Sequence, residues 1–284
     1  RFEIFAAASA ALIARIPIGH IHGGELTEGL IDEAIRHSIT KMAHLHFVAA
    51  DEYRQRVIQL GESPDRVFQV GGLGVDNILR LELLSRHELE AAIDFRFLPR
   101  NLLVTFHPVT LEQGTSASQM DQLLAALGEL QDTGLIFTMP NADTDGRILF
   151  EKIQNFCNEQ AHAKAYTSLG QLRYLSCVRH VDGVVGNSSS GLAEVPSFKK
   201  ATINIGDRQR GRLKATSIID CEPNTLSISQ AIKRSFSADF LRNLKTTENL
   251  YGSGGASDAI IRKLKVTQLA DGFSKKSFCD IAVQ

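Results

Sequence analysis

Between Glu28 and Ala43 the apolar residues Leu30, Ile31, Ala34, Ile35, Ile39 and Met42 recur at helical spacing, which predicts an amphipathic helix. Ahead of it, Ile16 to His22 alternates as a short strand does and closes on Gly23-Gly24. Behind it, His44–Ala50 reads as a strand, Asp51–Leu60 as a helix, and Val67–Val70 as a strand ending at Gly71-Gly72. The run from Phe2 to Ala14 reads as an apolar helix stopped by Arg15 and Pro17. A charged helix and then Phe97-Leu98-Pro99-Arg100-Asn101 mark a crossing over residues 85 to 100. Beyond it the rhythm restarts, with strands at Leu102–Phe106, Leu135–Met139, Val181–Val185 and Ala201–Ile205. Helices are expected at Ala117–Gln131, Thr144–Asn158, Leu226–Phe236 and Ser257–Val266. Strands alternating with helices of about 10–15 residues predict an α/β protein built on parallel sheets.

The economical architecture is two nucleotide-binding-type domains. Residues 1–95 supply the second half of the first, 96–250 the second, and 251–284 a C-terminal helix with a basic tail. The first domain is too short for a complete sheet of this kind. The chain also opens at Arg1 rather than Met, so an upstream segment is expected.

Composition narrows the function. The 284 residues carry 31 Lys+Arg against 32 Asp+Glu, a net charge of −1 with no long run of one sign. That argues against a nucleic-acid or membrane-surface partner. No apolar run reaches the ~18 residues of a membrane span. Cys157, Cys177, Cys221 and Cys279 stand far apart with no C-x-x-C pair, so they read as reduced thiols of a cytoplasmic chain with no zinc site.

Chemistry concentrates in two stretches. The first, His20 to His37, sets His20, His22, Glu25, Glu28, Asp32, Glu33, Arg36 and His37 at a strand's C-terminal end and along the next helix. Crevices beyond such strand ends are where open α/β sheets take ligands. Helical spacing lets Asp32 meet Arg36 on one face. The bland alternative is an acid-rich helix start with Asp32–Arg36 as a surface pair, and Glu28 and Glu33 read as solvated carboxylates. His20, His22, His44 and His46 could converge on a metal, but no further element fixes a ligand geometry, and no metal is expected.

The second stretch is Val184-Val185-Gly186-Asn187-Ser188-Ser189-Ser190-Gly191-Leu192-Ala193-Glu194, a buried strand running into a small-residue turn and a helix. Backbone N–H groups and hydroxyls there suit phosphate, and Glu194 suits a ribose diol. A serine-rich helix cap is the alternative. The spacing fits neither a G-x-S-x-G elbow nor a P-loop. Gly72-Leu73-Gly74 is a weak fingerprint, more naturally a turn. His107 at a strand tip and Arg208 in Gly206-Asp207-Arg208-Gln209 would add a cleft imidazole and a bidentate phosphate ligand.

Taken in order, these motifs resemble the hydrolysing UDP-N-acetylglucosamine 2-epimerases of sialic-acid-type sugar synthesis. The resemblance runs through Arg1-Phe2-Glu3, His20-Ile21-His22-Gly23-Gly24-Glu25, Ile31–Lys41, His107-Pro108-Val109-Thr110 and Pro140-Asn141-Ala142-Asp143. It continues through Gly186-Asn187-Ser188-Ser189 with Glu194 and Ile203–Gln209. It implies two Rossmann-like domains in the glycosyltransferase-B arrangement, the first incomplete at its N-terminus. Roughly a hundred residues and a further catalytic aspartate would precede Arg1.

The implied reaction expels UDP from C1 while a base removes the C2 proton, giving a 2-acetamidoglucal. Water then adds at C1 and a proton arrives on the other face of C2. The net change is redox-neutral and needs no cofactor. The resemblance makes Glu25, Asp32 and His107 catalytic, and His22, Arg36, Asn141, Ser188, Ser189, Glu194 and Arg208 substrate-binding. Some branches carry a glutamate where His22 stands, which leaves open whether Glu25 or His22 does its work. UDP-GlcNAc is the first expected substrate and UDP-2,4-diacetamido-2,4,6-trideoxyglucose the second. Enzymes of this kind are expected as homo-oligomers, dimeric or tetrameric. The competing functions are a non-hydrolysing epimerase, a glycosyltransferase that needs a separate acceptor, and a module that binds UDP without turnover.

Overall fold

The computed structural model describes residues 2–27, 30–109, 114–140, 146–270 and 272–280. They run α1 (Phe2–Ile13), β1 (Gly19–Ile21), α2 (Asp32–Met42), β2 (Leu45–Val48), α3 (Asp51–Gln59), β3 (Val67–Gln69) and α4 (Leu73–Arg80). Next come α5 (Arg86–Ile93), β4 (Arg100–Thr105), α6 (Ser116–Gly128), β5 (Thr133–Thr138), α7 (Gly146–Glu159), β6 (Ala163–Tyr166) and α8 (Gly170–His180). The order closes with β7 (Gly183–Gly186), α9 (Ser190–Ala193), β8 (Ala201–Ile205), β9 (Ile218–Cys221), α10 (Thr225–Ser235), α11 (Ala238–Leu244) and α12 (Ala256–Val266). The chain divides into two compact units, Arg1–Leu79 with Leu250–Gln284, and Arg80–Asn249.

In the first unit β1, β2 and β3 form a parallel sheet in that order, with His20 opposite His46 and Phe47 opposite Phe68. The middle strand is buried along its whole length. Ile260 of α12 packs with Leu45 and Phe47, beside Phe68, Val70 and Phe273. The start of α12 is held by Asp76, whose carboxylate accepts from the Ala256 and Ser257 amides at 3.0 and 2.6 Å. The C-terminal helix and tail read at 251–284 therefore belong to this unit. Lys276 donates to the carbonyls of Thr40, Lys41 and Ala43 and so closes the C-terminal end of α2.

The second unit is a parallel sheet of order β6-β5-β4-β7-β8-β9. Numbered within the unit this is 3-2-1-4-5-6, the doubly wound order whose ligand crevice lies where the order reverses, beyond the C-terminal ends of β4 and β7. Both faces are covered, which is why these strands read as continuous apolar runs. Leu102 and Val104 face α6, α7 and α10 with Leu123, Leu127, Ile153 and Ile228. Leu103 and Val184 face α5 and α8 with Leu89, Ile93 and Val178. Burial of Leu89 and Ile93 takes α5 into this unit, so the division falls at Leu79–Arg80 and not at the expected crossing near residue 95.

Candidate active site

The first unit assembles one group of the expected residues at the end of β1. His22 adopts a left-handed φ of 63° there, followed by Gly24 at 79°. A Cβ on Gly24 would lie 2.3 Å from the Tyr53 carbonyl oxygen, so this turn excludes a side chain at that position. The turn aims the imidazole at Glu25, with Nδ1 2.8 Å from Oε1. The Leu73 amide donates toward the other ring nitrogen at 3.4 Å, so the neutral tautomer carries its proton on Nδ1 and donates it to the carboxylate. Glu25 is 5% exposed. A buried carboxylate against an imidazole can give or take a proton without first shedding a hydration shell.

Arg36 is joined to the same turn and forms an ion pair with Glu33 at 2.9 Å. The guanidinium also donates to the Glu25 carbonyl at 3.0 Å and to the Thr27 hydroxyl. Glu33 accepts from the Thr27 amide at 2.6 Å, and its other oxygen meets His37 Nε2 at 3.0 Å. Burial would raise the Glu33 carboxyl, but the Thr27 amide, His37 and Arg36 outweigh it and hold it below the ordinary value. Glu33 therefore corrects its expected role as a solvated carboxylate: it ties α2 to the loop that presents Glu25. Asp32 is the first residue of α2 and is partly exposed.

His20, His22, His44 and His46, the histidines weighed for a metal, take separate partners. His20 meets the Thr40 hydroxyl and is driven down to about 4, chiefly by burial. His44 Nδ1 accepts from the Ile18 amide and the ring stacks on Phe273. His46 contacts Glu62 at 3.0 Å. Among the described residues no three His, Cys, Asp or Glu side chains are grouped to hold a metal ion.

In the second unit Asn187 joins the strand ends at the reversal point. Its amide donates to the Thr105 carbonyl, its side-chain oxygen accepts from the His107 amide at 2.7 Å, and its side-chain nitrogen donates to the His107 carbonyl at 2.8 Å. Its own carbonyl accepts from Arg208 at 3.1 Å and Gln209 at 2.8 Å. One buried asparagine thus fixes His107, the serine turn and Arg208 relative to one another. Gly186 makes the turn possible: its φ is 137°, and a Cβ would lie 1.9 Å from the Thr105 carbonyl oxygen.

Ser188 and Ser189 follow, half-buried, and α9 is a single turn. A helix this short has little macrodipole of its own. Glu194 accepts from the Ser190 hydroxyl, and burial raises its carboxyl. Asn141 lies outside the described residues. Thr27, Tyr174 and Ser190 were given no role of their own from sequence, and Glu33 only that of a solvated carboxylate. A usable signal existed for Glu33, which has Arg36 and His37 at i+3 and i+4.

Comparison with known proteins follows the same residues. The family model for UDP-N-acetylglucosamine 2-epimerase matches residues 1–265. The chain is 41% identical over 282 residues to the GDP/UDP-N,N'-diacetylbacillosamine 2-epimerase (hydrolyzing) of Campylobacter jejuni, covering 99% of this chain and 73% of the relative. It is 42% identical over 282 residues to polysialic acid biosynthesis protein P7 of Escherichia coli, covering 99% and 72%. In fold it is similar to the Neisseria meningitidis UDP-GlcNAc 2-epimerase solved with UDP-GlcNAc, with TM-score 0.79, 17% identity, and coverage of 93% of this chain and 73% of that one.

Proposed function

The chain belongs to the UDP-N-acetylglucosamine 2-epimerase family, and from that premise we propose that it acts as a hydrolysing 2-epimerase, releasing UDP and a free 2-epimerised acetamido sugar. The observation that carries the reading is the buried Glu25 carboxylate paired with His22, with its loop gripped by Arg36, in a chain 41% identical to a relative named as hydrolysing.

The C2 hydrogen of such a sugar is not next to a carbonyl, so its removal needs a concerted loss elsewhere. Glu25, with His22 holding its carboxylate, and Asp32 act as the two proton-transfer groups at C2. The C2–H electrons form the C1–C2 double bond as the C1–O bond breaks and UDP leaves. Water then supplies the C1 hydroxyl, and a proton returns to the opposite face of C2. Arg208 and the Ser188 and Ser189 hydroxyls bear the charge of the departing diphosphate, His107 assists the departure, and Glu194 takes the ribose. Nothing is oxidised overall, so these steps call for no redox cofactor.

UDP-GlcNAc is the first substrate under this reading. A second, UDP-2,4-diacetamido-2,4,6-trideoxyglucose, is favoured by the name of the Campylobacter jejuni relative. Incubation of the complete enzyme with each sugar, and with its GDP analogue, should liberate the nucleotide and the free epimer. Product that keeps its nucleotide would sink the hydrolysing assignment, and relative kcat/KM selects the sugar. Asp32→Asn should leave UDP affinity intact and lower turnover by ~10²–10⁴-fold. Ser188→Ala and Arg208→Ala should instead weaken UDP binding.

A further inference from the structure

Within the second unit one hydrogen-bonded chain leads away from the residues assigned above. The Tyr174 phenol donates to the Ser190 hydroxyl at 2.8 Å, and that hydroxyl donates to Glu194 Oε2. Tyr174 sits on α8 and packs against the buried cluster that includes Leu103, Val178 and Val184. The chain therefore starts on a rigid element behind the serine turn.

We propose that Tyr174 and Ser190 are positioning residues that set the Glu194 carboxylate in the attitude that receives the 2′- and 3′-hydroxyls of a nucleotide's ribose. This rests on the reading of Glu194 as the ribose ligand and adds what orients it. A glutamate has three rotatable side-chain bonds, and fixing them in the empty site moves that entropic cost out of the binding step. Ser190 uses its one proton toward Glu194 and accepts from Tyr174, so the chain has a single direction and each bond polarises the next. Its far end leaves the second carboxylate oxygen to accept from a ligand hydroxyl. Burial pushes the phenol above its ordinary value, which keeps it a donor at neutral pH. Burial also raises the Glu194 carboxyl, and the Ser190 hydroxyl acts against that, favouring the ionised acceptor.

The test is calorimetric binding of UDP and 2′-deoxy-UDP to the whole chain and to Tyr174→Phe, Ser190→Ala and Glu194→Gln, with melting temperatures confirming that each is folded. The unsubstituted chain should prefer UDP by at least ~10-fold, the worth of a hydrogen bond to a charged group. Tyr174→Phe and Ser190→Ala should each shrink that preference by about three- to tenfold, mostly by weakening UDP. Equal weakening of both nucleotides would mean a merely structural role and overturn the proposal. Retention of the full preference in both variants, with its loss in Glu194→Gln, would show that the carboxylate needs no relay, again overturning it. If Glu194→Gln itself kept the preference, the ribose assignment would fall and this proposal with it.

Discussion

Glu33→Ala separates the role found for this side chain from the one its sequence position suggested. The carboxylate accepts from the Thr27 amide at 2.6 Å, pairs with Arg36 at 2.9 Å and meets His37 at 3.0 Å. The Thr27 contact is a charge-assisted bond of a kind worth roughly 1.5–3 kcal/mol. Alanine returns only ~0.3 kcal/mol through helix propensity at this position. Arg36 keeps its bonds to the Glu25 carbonyl and the Thr27 hydroxyl, so the loop loosens without unfolding. Opening of the 25–27 loop should become easier by about 1–3 kcal/mol, or roughly 5- to 150-fold.

Native-state hydrogen exchange at the Thr27 amide reads this directly. Protection should fall by that factor in Glu33→Ala and by less in Glu33→Gln, which retains a neutral acceptor. The folded carboxyl lies below its ordinary 4.5. Its stabilisation is therefore complete above that value and fades as pH drops through the folded value, so the unsubstituted chain should lose Thr27 protection on acidification and Glu33→Ala should not. Thr27 exchange within twofold of the unsubstituted chain at pH 7 would refute the reasoning and return Glu33 to the solvated face of its helix.

Three further outcomes are expected. Asn187→Ala removes both side-chain bonds to the buried His107 backbone; it should cost about 2–4 kcal/mol by denaturant titration of the second unit and weaken UDP binding as well. Glu62, with its side chain 3% exposed among His46, Lys41 and Lys276, is held at about 2 against its ordinary 4.5, because those three contacts outweigh burial. Its stabilisation should hold above pH 4.5 and drain toward pH 2, and Glu62→Gln should destabilise the first unit by about 3–5 kcal/mol while flattening that acid limb of the exchange profile. Gly186→Ala drives a Cβ into the Thr105 carbonyl and should cost about 3 kcal/mol or more, with a melting temperature near that of the unsubstituted chain counting against the geometry.

Local pattern by itself determined the α/β class, most of the strands and the glycine-bearing turns after β1 and β7. Leu102–Phe106 and Val181–Val185 are legible because a parallel strand covered on both faces must be apolar at nearly every position. The glycine-to-serine run after Gly186 is legible because a turn there admits no Cβ. Edge elements were not: β6, Ala163-Lys164-Ala165-Tyr166, is half-buried along its length and too short and weakly apolar to stand out as a strand. Tertiary structure alone decided the rest. Helical spacing puts Glu33 within reach of Arg36, but only the turn after β1 brings in the Thr27 amide that Glu33 also binds. Asp76 and the start of α12 meet across 180 residues of chain, which is what returns the C-terminal segment to the first sheet. The Tyr174–Ser190 bond likewise joins separate elements. Periodicity reports which face of an element is covered, but the partner that covers it is chosen by long-range packing, which no local window contains.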